Sequence, residues 1–199
     1  MNSIVVNLMQ VRERIELAAL VAKREPEEIE LLAVSKTFPA SAVEEAMHAG
    51  QSAFGENYVQ EAVEKIQKLA KLRPWLVWHF IGPLQSNKTR EVAEHFDWVH
   101  SVDRLKIAER LSAQRGEFPD LAPLQVCAQI NVSEEDSKSG VSLAEVEALC
   151  NAITSLPNLV LRGLMAIPAP SPNIEQQRQV FAAVRECFLQ IQAAHTGEL

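Results

Sequence analysis

The sequence predicts an α/β fold in which a parallel sheet closes into a (β/α) barrel. Segments typical of strand, loop and helix alternate six times along the 199 residues. Each strand segment is almost continuously apolar, as expected for a strand that helices cover on both faces. The polar residues that could carry chemistry follow the carboxyl ends of the strands, which is where a barrel places its active site.

An open, doubly wound sheet is the alternative arrangement for the same pattern. That class binds nucleotides in a crevice that a GxGxxG or P-loop motif marks, and the sequence contains neither motif. The barrel is therefore preferred, as a single domain over residues 1–199. A closed barrel of this type has eight strands in about 250 residues. We expect either that another element closes the sheet or that the chain lacks the last two strands.

Periodicity gives the bounds of each element. The strands are expected at residues 31–36, 52–55, 76–82, 98–101, 124–132 and 159–167. The helices are expected at residues 3–24, 41–48, 58–72, 86–96, 103–114, 142–154 and 174–194. Ser41, Ser86 and Asp103 are candidate helix caps, residues 142–145 form a capping box, and Gly50 is expected just after the second helix.

Composition limits the classes of function. The formal net charge is −7 with both signs mixed along the chain, so neither nucleic acid nor a membrane is an expected partner. No apolar run is long enough to span a bilayer, and residues 1–22 lack the features of a secretory signal. The three cysteines form no CxxC pair, and the five histidines have no metal-ligand spacing. We expect a cytoplasmic protein without a structural metal or disulfide.

Lys36 is the candidate nucleophile. It ends an apolar strand segment, and Pro39 then directs the chain into a loop. Partial burial at the carboxyl end of a strand disfavours the ammonium form and favours the neutral amine that attacks aldehydes and ketones. The alternative is a lysine whose stem is packed while its charged end reaches water.

Six stretches form a longer set of motifs: LLAVSKTFPA at 31–40, FGENYVQEAVEKI at 54–66, WHFIGPLQSNK at 78–88, HSVDRLKIAERL at 100–111, QINVSEEDSKSGV at 129–141 and LRGLMAIPAP at 161–170. In this order they resemble the pyridoxal 5′-phosphate homeostasis proteins over nearly the whole chain. The resemblance implies the fold of the N-terminal domain of bacterial alanine racemase, a TIM-type (β/α)8 barrel with an extra leading helix. It also implies that Lys36 holds pyridoxal 5′-phosphate as an internal aldimine.

Three more residues at strand ends are candidate cofactor contacts. Asn57 could hydrogen-bond the oxygen substituents of the ring, His79 could stack on or bond to the ring, and Met165 offers a polarizable surface. Core packing or loop capping is the alternative for each. By resemblance, Lys138 in the polar loop 133–140 lies near the pocket mouth. There it could help to transfer or sense the cofactor, or simply lie in solvent.

The resemblance also implies two further strands, which carry a Ser-x-Gly-Met-Ser segment and an Arg-Ile-Gly segment. These supply a phosphate cup and an arginine that faces the pyridine nitrogen, and neither segment occurs here. We therefore expect the chain to be incomplete at its C-terminus relative to the family. If it ends at Leu199, it is expected to bind the cofactor weakly.

Three functions are compatible with a strand-end lysine. A carrier binds pyridoxal phosphate, limits the free aldehyde and passes it to recipient apoenzymes, which maintains vitamin B6 and amino-acid homeostasis. A racemase of the fold-type III pyridoxal class needs a second proton-transfer group, usually a tyrosine, and the single tyrosine here, Tyr58, opens a helix. An aldolase needs a substrate anion site and a proton shuttle, which the sequence does not identify. The preferred interpretation is a monomeric carrier without strong catalytic activity.

Overall fold

The computed structural model describes residues 3–132 and 139–194. Six strands in these ranges form one sheet, with neighbours in chain order. They are β1 (Ala33–Val34), β2 (Ala53–Glu56), β3 (Val77–Phe80), β4 (Trp98–Val102), β5 (Leu124–Ile130) and β6 (Leu159–Ala166). The pairs β1–β2, β4–β5 and β5–β6 are parallel. The predicted α/β class with a parallel sheet is confirmed.

One helix precedes the sheet, and one helix follows each strand. They are α1 (Ile4–Ala22), α2 (Ala40–His48), α3 (Val59–Lys68), α4 (Thr89–His95), α5 (Leu105–Arg115), α6 (Val146–Thr154) and α7 (Ile174–Ala194). Each strand and helix expected from periodicity is therefore present, and α7 has the predicted bounds. This order places the carboxyl end of every strand next to the loop that leads into a helix.

The predicted helix caps are wrong in three places. Ser41 lies inside α2, because the extended residue Pro39 takes the N-cap position and the helix begins at Ala40. Extended backbone at Arg104 delays α5 to Leu105, so Asp103 accepts a hydrogen bond from the Arg104 side chain instead of capping the helix. The helix predicted from Ser86 begins only at Thr89, and the Thr89 hydroxyl donates to the Ser86 carbonyl. Short polar side chains also satisfy loops, so the residue type alone does not identify the cap.

Two other helix bounds differ from expectation. The helix predicted over residues 58–72 ends at Lys68 and is followed by a 3-10 segment, Ala70–Trp75, which contains Pro74. Proline cannot donate the backbone hydrogen bond that a longer α-helix requires. Ser142 donates to the Glu145 carboxylate as in a capping box, but α6 begins only after Glu145. Of the polar loop predicted at 133–140, residues 133–138 lie outside the described residues.

The chain divides into two compact units, and the first is Met1–His79. Its core contains the rings of Phe54 and Trp78, whose centroids are 5.9 Å apart and which are each no more than 1% exposed. Arg12 of α1 donates to the carbonyls of Ala49 and Gly50, at 2.9 Å each. These bonds tie α1 to the end of α2, where Gly50 adopts the left-handed φ of +80°.

The second unit is Phe80–Leu199. Phe80 and Phe96 meet edge to face in its core, with ring centroids 5.5 Å apart. Arg115 of α5 is buried and donates to the carbonyls of Ala93 and Phe96, which lie at the end of α4. The guanidinium therefore satisfies carbonyls that the helix end leaves without an internal partner.

Candidate cofactor site

The carboxyl ends of β1 and β2 bring two of the predicted site residues to the same edge. The strands are parallel, with Ala33 opposite Phe54 and Val34 opposite Gly55. Lys36 follows β1 by two residues and Asn57 directly follows β2, so both residues lie just beyond the carboxyl ends of paired strands. A lysine and an asparagine therefore follow neighbouring strand ends.

The Lys36 side chain is half-buried. Within residues 3–132 and 139–194 it takes part in no hydrogen bond and no ion pair. A lysine that is partly covered and has no carboxylate partner keeps its amine available for a ligand. This arrangement differs from that of a lysine committed to a structural salt bridge.

Asn57 presents a hydrogen-bond acceptor at the neighbouring strand end. Its Oδ1 atom is buried and has no hydrogen-bond partner among the described residues. A buried amide oxygen without a partner is costly, so such an atom marks a place where a ligand hydroxyl or a water donates. The edge thus offers one primary amine and one buried acceptor at neighbouring strand ends.

Lys65 of α3 contacts the backbone beside Lys36, and it was not among the predicted functional residues. Its side chain is 4% exposed, and its Nζ atom donates to the Ser35 carbonyl at 2.7 Å. The same ammonium donates to Glu56 Oε1 at 2.5 Å and to Glu61 Oε1 at 3.2 Å. All three N–H donors of the ammonium are therefore used.

The two residues that flank Lys36 are both bound to the carboxylates that Lys65 contacts. The Ser35 hydroxyl donates to Glu56 Oε1 at 2.7 Å, and the Thr37 backbone N–H donates to Glu61 Oε1 at 2.6 Å. Thr37 has a φ of 67°, which is a true outlier for a β-branched residue. We call Glu56, Glu61 and Lys65 the buried charge cluster.

The signal for this cluster in the sequence is weak. Glu61 and Lys65 are four residues apart on one helix, a spacing that ordinarily indicates an exposed ion pair. Lys65 nevertheless lies beside the apolar stripe of α3, next to the buried Ile66. A lysine in that position requires a buried partner, and Glu56 in the preceding strand is the partner that the fold supplies.

The other predicted contacts have different surroundings. His79 is the third residue of β3 and is only 5% exposed, so it is part of the interior of the first unit. Met165 belongs to the second unit, where it is the penultimate residue of β6, half-buried and opposite Gln129 of β5. Lys138 lies outside the described residues.

The three cysteines of the second unit are free thiols. Burial, and secondarily the neighbouring thiol of Cys150, raises the pKa of Cys127 to about 12. Burial, followed by Cys187 and Glu147, raises the pKa of Cys150 to about 12 as well. Both thiols therefore stay protonated and are poor nucleophiles or metal ligands at neutral pH.

In the described part of the chain, no three or more His, Cys, Asp or Glu side chains form a group that could hold a metal ion. None of the helices within residues 3–132 and 139–194 combines the length and apolar character that crossing a membrane requires.

The fold and the strand-end lysine define a class, the alanine racemase N-terminal domain. A family model with the description "Alanine racemase, N-terminal domain" matches residues 6–198. An alanine racemase from Corynebacterium glutamicum has the same fold at 15% identity, with a TM-score of 0.59 over 82% of this chain and 45% of the racemase. The predicted barrel class, with its leading helix, is that of this family.

Within that class, the chain belongs to the pyridoxal phosphate homeostasis protein family. The Escherichia coli K12 member is 57% identical over 189 residues, which cover 94% of this chain and 80% of the relative. The Pseudomonas aeruginosa PAO1 member is 56% identical over 191 residues, covering 96% of this chain and 81% of the relative. The structure of PipY from Synechococcus elongatus with PLP bound is 38% identical, has a TM-score of 0.77, and matches 90% of this chain and 82% of PipY. The family resemblance seen in the sequence is confirmed.

Proposed function

We propose that the chain binds pyridoxal 5′-phosphate covalently through Lys36 and acts as a carrier of this cofactor. The observation that carries the proposal is the half-buried Lys36 amine, which follows the end of β1 and has no bonded partner among residues 3–132 and 139–194. The names of the E. coli and P. aeruginosa relatives and the PLP-bound PipY structure support the choice of cofactor.

The residues at the strand edge fit this group. The cofactor supplies an aldehyde, which an unprotonated primary amine converts to an imine with loss of one water. Lys36 provides the amine, and the parallel pairing of β1 and β2 brings Asn57 to the neighbouring strand end. The buried Asn57 Oδ1, which has no partner among the described residues, accepts the hydrogen bond of a ring hydroxyl.

The proposal includes His79 and Met165 as further ring contacts. Both lie in the carboxyl halves of their strands, β3 and β6, the side on which a barrel carries its site. His79 offers a flat imidazole for stacking or hydrogen bonding, and Met165 offers a polarizable thioether. We expect His79→Gln and Met165→Leu to weaken cofactor binding, which titration with the cofactor and absorption spectra measure.

We propose a carrier role in vitamin B6 homeostasis rather than a racemase. A two-base racemase needs a proton-transfer group on each face of the ring. The single tyrosine of the chain, Tyr58, is the N-cap residue before α3, and it is 57% exposed. A side chain so open to solvent is poorly suited to controlled proton transfer beside a cofactor.

The proposed carrier works as a monomer in the cytoplasm and delivers the cofactor to recipient apoenzymes. The three free thiols support a reducing compartment, because extracellular proteins usually pair their cysteines. Delivery is tested by mixing the loaded chain with an apoenzyme that depends on pyridoxal phosphate and following the recovery of its activity. Recovery faster than spontaneous release of the cofactor supports delivery, and recovery at the release rate excludes direct transfer.

The covalent link is tested by titrating the purified chain with pyridoxal phosphate and recording absorption spectra. The parent and the control Lys68→Ala, which alters an exposed lysine of α3, are expected to show the shifted band of an imine. Lys36→Ala is expected to show only the spectrum of the free aldehyde. An unchanged band in Lys36→Ala would overturn the proposal, and turnover of alanine by the loaded parent would favour a racemase.

A further inference from the structure

We infer that Lys65 is a positioning residue for Lys36: the buried charge cluster fixes the backbone on both sides of the nucleophile. This inference rests on the proposed function, because it concerns the amine that is proposed to bind the cofactor. It assigns a role to Glu56, Glu61 and Lys65, residues that do not themselves touch the aldehyde in the proposed site.

On the amino side of Lys36, Ser35 is restrained at three points, two of them by the cluster. The Ser35 carbonyl accepts from Lys65 Nζ at 2.7 Å, and its hydroxyl donates to Glu56 Oε1 at 2.7 Å. The Ser35 backbone N–H donates to the Gly55 carbonyl of β2 at 2.9 Å. Ser35 is 6% exposed, so water does not compete freely for these bonds.

On the carboxyl side, Glu61 restrains Thr37. Its Oε1 atom accepts the Thr37 N–H at 2.6 Å and also accepts from Lys65 Nζ at 3.2 Å. Thr37 has a φ of 67°, a conformation that a β-branched residue adopts only where surrounding contacts impose it. Lys36 therefore stands between two residues that one cluster holds, and its Cα–Cβ direction is set before any ligand arrives.

Stability alone does not account for burying these charges. Glu56 is 0% exposed and Lys65 is 4% exposed. Replacing a buried ion pair by apolar residues of similar volume is often neutral or even stabilising. This ion pair is distinguished by its position. The Lys65 ammonium links α3 to Glu56 of β2 and to Ser35, the residue directly before the nucleophile. A covalent site needs its reacting group held in a narrow range of positions.

The test uses two variants with matched controls. Glu56→Gln/Lys65→Met removes both buried charges together and keeps an acceptor for the Ser35 hydroxyl, and Lys68→Met is its control. Glu61→Ala removes the partner of the Thr37 N–H at a residue whose side chain is 35% exposed, and Glu64→Ala is its control. Should the double variant not fold, the partly exposed position of Glu61 makes Glu61→Ala the deciding variant.

Three quantities are measured for each variant. Hydrogen exchange of the Thr37 amide is followed in the chain without cofactor, and the melting temperature is recorded under the same conditions. The third quantity is the rate at which pyridoxal phosphate followed by borohydride modifies Lys36, at a temperature well below the melting transition. A merely structural role would lower the melting temperature and leave the modification rate of the folded chain unchanged.

The expected result is that Thr37 exchange accelerates and Lys36 modification slows, each by about tenfold, the change that loss of one charge-assisted hydrogen bond produces. The controls are expected to match the parent. Modification of Lys36 at the parent rate in both variants would overturn the inference and leave the proposed function intact. If the parent is not modified at Lys36, the proposed function fails, and the exchange of Thr37 then still decides whether the cluster fixes this backbone.

Discussion

Replacing Lys65 alone with methionine is expected to lower the free energy of unfolding by about 3–5 kcal/mol, the usual effect of removing one partner of a buried ion pair. Methionine keeps most of the apolar stem but none of the three N–H donors. Glu56, which is 0% exposed, would retain only the Ser35 hydroxyl as a partner. Its second oxygen, Oε2, already has no hydrogen-bond partner among the described residues. The substitution therefore leaves a nearly unsolvated carboxylate without a counter-charge.

The partly exposed pair Lys88–Glu91 provides the contrast. Its side chains are 35% and 34% exposed, and the ammonium and carboxylate are 2.7 Å apart. Solvent screens a pair of this kind, so Lys88→Met is expected to cost no more than about 0.5 kcal/mol. The two substitutions remove ion pairs of similar length, but Lys65 and Glu56 are both buried and Lys88 and Glu91 are both partly exposed.

Urea unfolding followed by circular dichroism gives both free energies. A double-mutant cycle with Glu56→Gln, Lys65→Met and the double variant isolates the interaction between the two residues. The double variant is expected to be more stable than Lys65→Met alone, because it leaves no unpaired buried charge. A loss below about 1 kcal/mol for Lys65→Met, within the range of exposed pairs, would refute the reasoning.

Two other predictions follow from the ionisable groups of the second unit. Burial lowers the pKa of His100. As the pH falls, the imidazole of His100 is therefore protonated in the unfolded chain before it is protonated in the folded chain. The free energy of unfolding consequently falls as the pH drops below about 6.5. His100→Gln should flatten that part of the dependence of the melting temperature on pH, and an unchanged slope would contradict the assignment. Because burial raises the pKa of Cys127 and Cys150 to about 12, iodoacetamide at about pH 8 should modify the half-buried Cys187 first. Mass spectrometry of the native chain measures the order, and equal rates for the three thiols would contradict it.

The sequence predicts the fold well because its signals are local and repeated. Apolar segments of strand length alternate with helical periodicity, and parallel pairing then requires that neighbouring strand ends share an edge. The same pattern predicted that Lys36 and Asn57 follow the carboxyl ends of neighbouring strands, and both residues lie just beyond the paired strands β1 and β2. The chemical roles of Asn57, His79 and Met165 stay predictions, because a role depends on a bound group and not on periodicity.

The helix caps and the buried charge cluster could not be predicted in the same way. Whether Asp103 caps α5 depends on the backbone angles of Arg104, which lies between them. The partners of Lys65 lie just after β1, in β2 and in α3, so only the tertiary structure brings them into contact. In the sequence, Lys65 is only a helical lysine that follows Glu61 by four positions.

The central claim is that Lys36 is the residue that binds the cofactor, and mapping of the modified peptide tests it most directly. The chain is mixed with one equivalent of pyridoxal phosphate, reduced with borohydride, digested and analysed by mass spectrometry. The account predicts one added pyridoxyl phosphate group, located on Lys36. Modification spread over several exposed lysines, or confined to a lysine other than Lys36, would contradict it.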